Sequence, residues 1–204
     1  MRLAIFGGTF DPIHDAHVAI ARAAAGRFSL DCVLFVPAAR PPHKAGATHA
    51  PYDARVRMAQ LACQGEPRFE VSRLEESARR SYSIDTIEKV RAQIDADDLF
   101  FLIGADAFAE IRSWRRWREV ARAVEFLVVG RPGYSCEVPE GVRAQRLDTL
   151  ESAASSSAIR AALAGGQRPA GVPRQVLDYI FEEGLYRGPA ASDAGPVRPH
   201  RKCV

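Results

Sequence analysis

The chain predicts an α/β fold, doubly wound, with a mostly parallel sheet and helices on both faces. Three observations predict it. Short apolar runs recur at 3–6, 32–36, 69–71, 99–103 and 126–129, helical patterns separate them, and the chemically distinctive residues cluster just past their ends. In open sheets of this kind, ligands sit beyond the carboxyl ends of the strands.

The first run, Leu3-Ala4-Ile5-Phe6, is closed by Gly7 and Gly8 and reads as a buried strand feeding a tight turn. The alanine-rich stretch 16–25 follows as a helix. After the second run, Pro51 can open a helix that continues through Met58 to Ala62. Ser83 can cap another, carried by Ile84, Ile87, Val90 and Ile94 at helical spacing. The fourth run ends at Gly104 and the fifth at Gly130, and the serine cluster 155–157 precedes an apolar helical pattern. One domain is expected over 1–187. Residues 188–204, rich in Pro, Gly, Ala and basic residues without periodicity, read as a disordered tail.

At 204 residues the chain can bury a core of ordinary size, and its formal charge of +3 selects neither a phosphorylated small molecule nor RNA. The aromatic-basic interleaving of an RNA-binding surface is missing, so no nucleic-acid partner is expected. Cys32, Cys63, Cys136 and Cys203 form no Cys-x-x-Cys pair and read as reduced thiols. The N-terminus enters a strand directly and no apolar run is long enough to span a bilayer, so a soluble cytoplasmic protein without a membrane partner is expected.

The chemistry concentrates in Gly7-Gly8-Thr9-Phe10-Asp11-Pro12-Ile13-His14-Asp15-Ala16-His17. Gly7 and Gly8 permit a strand-to-helix turn with exposed N–H groups, and His14 and His17 share a face of the helix start. The pair could donate to phosphate oxygens or ligate a metal. No His-Glu-x-x-His motif and no third ligand at helical spacing accompany it, which argues against metal. Ser155, Ser156 and Ser157 with Arg160 make a second anion-attracting helix end, although Ser155 or Ser156 could simply be a cap. Pro41-Pro42-His43-Lys44 is a stiff loop whose cations could meet phosphate. Gly104 and Asp106 stand where a carboxylate could accept from ribose hydroxyls or cap a helix. Trp114 and Trp117 have the spacing of core packing. At Tyr82-Ser83-Ile84-Asp85-Thr86 a helix start offers donors to an anion, with Asp85 expected to face solvent.

Gly-Gly-Thr-Phe-Asp-Pro-Ile-His-x-x-His resembles the signature of the nucleotidyltransferases with a His-x-Gly-His core, and within them the bacterial nicotinate mononucleotide adenylyltransferases. Ala16 stands where that signature has glycine, and its methyl group could crowd the nucleotide. Residues 154–160, with Ala154 for isoleucine and Ser157 for threonine, resemble the same family's second motif, and the segments at 41–44, 82–86, 104–106 and 130–134 resemble others. The resemblance covers residues 2 to about 187.

It implies a Rossmann-like nucleotidyltransferase fold and transfer of AMP from ATP to nicotinate mononucleotide, releasing pyrophosphate, in NAD biosynthesis. His14 and His17 would address the bridging and α-phosphate oxygens. Thr9, Phe10 and the Gly7-Gly8 backbone would hold the phosphate chain, and Ser156, Ser157 and Arg160 the departing pyrophosphate. Lys44, Gly104 and Asp106 would serve the nucleotide. Tyr82, Ser83, Thr86, His43 and Trp114 would serve the acceptor, with Trp114 stacking on its pyridine ring. Mg2+ would arrive with ATP. The partners implied are ATP and nicotinate mononucleotide, with a homodimer left open. A sister transferase using nicotinamide mononucleotide or phosphopantetheine, or a non-catalytic nucleotide-binding protein of the same fold, are the alternatives.

Overall fold

Strand β1 (Arg2–Gly8) is the axis of the computed structural model, which describes residues 1–41, 48–130, 137–148 and 155–187. On one side it pairs with β2 (Cys32–Pro37), which pairs with β3 (Phe69–Val71). On the other it pairs with β4 (Asp98–Gly104), followed by β5 (Glu125–Gly130) and β6 (Ala144–Asp148). All pairings are parallel, in the order β3-β2-β1-β4-β5-β6. The chain reverses direction across the sheet between β1 and β4, and a crevice opens at such a switch point.

Among the described residues seven α-helices cover the sheet: α1 (Asp15–Arg27), α2 (Tyr52–Cys63), α3 (Ser83–Gln93), α4 (Ala105–Ala109), α5 (Trp117–Ala123), α6 (Ser156–Ala164) and α7 (Arg174–Glu182). Because side chains alternate along a strand, β1 sends Ala4 and Phe6 to one face and Leu3 and Ile5 to the other. The first face packs on α1, α2, α6 and α7, the second on α3, α4 and α5. Three of the alanines of α1, Ala21, Ala24 and Ala25, are fully buried and let that helix lie close on the sheet.

β6 and α7, like the short α5, were not read from the sequence. β6 buries only Leu147, with Gln145, Arg146 and Asp148 exposed, so it has no apolar run; a polar surface is usual for an edge strand. α7 carries the helical spacing of Val176 and Ile180 behind Pro173 and was legible in principle. At α3 the cap position belongs to Tyr82, extended at φ −91, with Ser83 the first helical residue and Ile94 beyond the end. Among the described residues no helix is long and apolar enough to cross a membrane.

Candidate active site

The turn after β1 is held by its carbonyls. The Gly8 carbonyl accepts from Ala38 N–H at 2.8 Å, and the Thr9 carbonyl from Arg55 at 2.7 Å. Phe10 takes a left-handed φ of 48° while its ring is buried against Phe6, Phe35 and His17. The ring is thus not available to a ligand. A Cβ on Gly8 would stand 2.8 Å from that ring, so glycine is required there by Phe10 itself. At Gly7 a Cβ would meet only ordinary contact.

His14 occupies the cap position of α1 in an extended conformation, and its N–H donates to His17 Nδ1 at 3.2 Å. That bond makes Nδ1 the acceptor and leaves the proton of a neutral His17 on Nε2. The two rings stack with centroids 3.8 Å apart. Burial pushes the His14 pKa down to about 4; burial and then the neighbouring His14 push that of His17 to about 3. Both are neutral donors at physiological pH. His14 Nδ1 is buried without a hydrogen-bond partner among the described residues. Ala16 is half-exposed on the second helical position between them.

The serine helix docks on this turn. Ser156 Oγ donates to the Pro12 carbonyl at 3.1 Å and Arg160 to the Asp11 carbonyl at 2.7 Å. Ser155 caps α6 by accepting from Ala158 N–H at 3.2 Å. Arg160 also donates to Ser157 Oγ at 3.3 Å, leaving the Ser157 proton free to point elsewhere. Two motifs almost 150 residues apart therefore meet through protein–protein hydrogen bonds. Ser156 and part of Arg160 are spent on the docking. The Ser157 hydroxyl and the first N–H groups of α6 remain for an anion.

Past β4, Gly104 holds the cap position of α4, where a Cβ would meet nothing within 4 Å, and Asp106 is exposed in the first turn. Trp114 is half-buried, edge-on to Phe101 at 5.8 Å. Next to the start of α3 lies a cavity of about 520 Å³ bordered by Glu75, Tyr82, Asp85, Thr86 and Arg115. Asp85 is half-buried on this rim, not turned wholly to solvent as expected. Thr86 is buried, donating to Glu75 at 2.5 Å, and the Arg115 guanidinium lies 4.8 Å over the Tyr82 ring. His43, Lys44, Ala154, residues 131–134 and the tail 188–204 lie outside the described residues.

Several contributing residues escaped the sequence reading. Arg55 is fully buried, although it sits on the apolar stripe with Met58, Ala59 and Ala62; a charge on that stripe was the available signal. The Asp11 carboxylate accepts from His49 N–H, Ala50 N–H and the Tyr186 hydroxyl at 2.7, 3.1 and 2.7 Å. Glu75 joins Thr86 to Ala39 N–H, 3.3 Å away, and so ties the cavity to the segment beside the phosphate turn. Nothing local in the sequence marks Glu75; Asp11 lies inside the stretch 7–17 but was given no role there. Among the described residues no cluster of His, Cys, Asp and Glu could hold a metal ion.

Comparison with known proteins bears on the family and the fold. The cytidylyltransferase-like family model matches residues 5–162. A protein of Solibacter usitatus named probable nicotinate-nucleotide adenylyltransferase is 66% identical over 91% of this chain and all of its own length. One of Thermus thermophilus with the same name is 42% identical over 92% of this chain and all of its own. Among solved structures, a Plasmodium falciparum nicotinic acid mononucleotide adenylyltransferase complexed with NaAD aligns with a TM-score of 0.75. It is 17% identical and covers 91% of this chain and 97% of its own, a likeness of fold.

Proposed function

The chain belongs to the cytidylyltransferase-like family, in its nicotinate-nucleotide adenylyltransferase branch, and from that premise we propose that it transfers AMP from ATP to nicotinate mononucleotide, giving nicotinate adenine dinucleotide and pyrophosphate. The observation that carries this reading is the docking of the serine helix onto the histidine turn, which puts two anion-attracting ends in one crevice beside the α3 cavity.

The acceptor phosphate is already an anionic nucleophile. Its oxygen bonds to the α-phosphorus as the bond to the bridging oxygen breaks, and pyrophosphate leaves with that electron pair. No general base is needed, so the residues act by alignment and by donors aimed where charge grows. His17, through Nε2–H, and His14 address the α-phosphate and bridging oxygens. Their neutrality in the free protein suits this role, since an arriving polyanion favours their charged forms and strengthens both bonds. Thr9, the Gly7-Gly8 backbone and the Phe10 N–H hold the phosphate chain, and Ser157 with the start of α6 receives the pyrophosphate. Ser156 and Arg160 act by fixing that helix against the turn while the rest of the Arg160 fork faces the anion.

Gly104 and Asp106 serve the adenosine side. Tyr82, Ser83, Thr86 and Trp114 serve the acceptor side with His43, and Lys44 joins the nucleotide. The first-turn N–H groups of α3 suit a carboxylate, and the Glu75 bond fixes the Thr86 side chain. Mg2+ would be carried on the triphosphate as part of the substrate. Soluble substrates and the lack of a membrane-crossing helix among the described residues support a cytoplasmic enzyme. The test is pyrophosphate release from Mg-ATP with nicotinate mononucleotide, nicotinamide mononucleotide and phosphopantetheine in parallel. The nicotinate form should give the highest kcat/KM; a higher value with either other acceptor overturns the assignment.

A further inference from the structure

We propose that Arg55 is the positioning residue of the phosphate turn: by holding the Thr9 carbonyl inward, it turns the Phe10 N–H outward to the nucleotide phosphates. The proposal rests on the placement of the triphosphate at residues 7–10 given above.

Arg55 has no exposed surface, and its donors go to carbonyls from separate segments: Thr9 and Ala38 at 2.7 Å and Ala50 at 3.2 Å. A buried guanidinium is costly to desolvate, and an apolar side chain of similar volume would fill the space without that penalty. What the apolar side chain could not do is orient three carbonyls at once, which the planar fork does.

The consequence follows from peptide geometry. In a planar trans peptide the C=O of one residue and the N–H of the next point in opposite directions. The Ala38–Ala39 peptide shows this directly, with its carbonyl on Arg55 and its N–H on Glu75 at 3.3 Å. The Thr9–Phe10 peptide is held by the same Arg55 nitrogen at its carbonyl. Its N–H has no acceptor among the described residues, and peptide planarity turns it away from Arg55; the rings of Phe10 and His17 meet edge-on at 5.1 Å. The left-handed φ of Phe10 and its buried ring fix the other side of the same unit. Ala50 is held through two successive peptides, its carbonyl by Arg55 and its N–H by the Asp11 carboxylate, so the knot also includes Asp11, two residues after Thr9.

The test uses full-length protein with Arg55→Met and Arg55→Lys. Steady-state kinetics should show kcat reduced about 10²-fold in Arg55→Met, as for a misplaced aligning group, with the acceptor KM within about threefold of wild type. Lysine, with three donors but no fork, should give an intermediate kcat. In 15N–1H spectra, titration with a methylene analogue of ATP should shift the Phe10 and Ser157 amides of the wild type. In Arg55→Met the Phe10 response should vanish while that of Ser157 persists. A wild-type kcat in folded Arg55→Met, or an unchanged Phe10 response, overturns the proposal alone. If neither amide responds in the wild-type protein, the triphosphate placement falls and the proposal with it. Should Arg55→Met not fold, Arg55→Lys decides: a reduced kcat with an altered Phe10 response supports the role, and wild-type values for both overturn it.

Discussion

His17 acts through one nitrogen, because the other accepts the N–H of His14. His17→Ala should therefore lower kcat by about 10²- to 10³-fold, with circular dichroism and thermal unfolding near wild type. The pair also sets a pH dependence. Both pKa values lie below the ordinary 6.5, so between about 3 and 6.5 the unfolded chain binds protons that the native chain refuses. Stability contributed by the neutral pair is thus complete above about pH 6.5 and is lost as pH falls through that window. The unfolding midpoint should drop from pH 6.5 to 5, and a His14→Gln, His17→Gln double variant should flatten that drop; an unchanged slope contradicts the assignment. Gly8→Ala meets a ring that cannot retreat. Its cost should be about 1–3 kcal/mol in denaturant unfolding, with a loss of turnover, since the turn must shift to admit the methyl group. The histidines and glycines were legible because their chemistry is local. Arg55 was not: its partner Thr9 lies 46 positions away, and only folding turns a polar residue of α2 into the centre of a knot.

At the scale of elements, α6 functions by where it is docked. Ser155→Ala removes the acceptor of Ala158 N–H and should cost about 1 kcal/mol in chemical denaturation, with pyrophosphate release weakened as the helix start frays. At α3, Thr86→Val leaves the buried Glu75 carboxylate without its hydroxyl donor. The expected result is about 1–3 kcal/mol of lost stability and a raised acceptor KM at nearly constant kcat, measured by initial rates. The four central runs, in β1, β2, β4 and β5, were readable because strands buried on both faces are largely apolar. β6 was not, since an edge strand covered on one side only at Leu147 carries no such run. Tyr82 displaced Ser83 from the cap of α3 because the chain reaches that helix extended, a choice no propensity records.

Across the whole molecule, the switch between β1 and β4 decides which loops share a crevice, and the two packed faces decide which groups water never reaches. Cys32 lies on one face and Cys63 on the other, and burial pushes their thiols up to about 11 and 12. In a Cys136→Ala, Cys203→Ala variant, native protein at pH 8 should show no prompt reaction with a thiol reagent, and full reaction once denatured; rapid native labelling would contradict this burial. The sequence alone determined the α/β alternation, the turn chemistry of residues 7–17, the serine helix end and the family, because each is written in neighbours a few positions apart. Tertiary structure decided that Ser156 and Arg160 brace the histidine turn, that Phe10 hides its ring, and that Asp11, Arg55 and Glu75 hold neighbouring segments together. The physical reason is distance along the chain: a buried charge acquires its role from carbonyls, N–H groups and hydroxyls brought to it by the fold, and these lie as far away as the 175 positions between Asp11 and Tyr186.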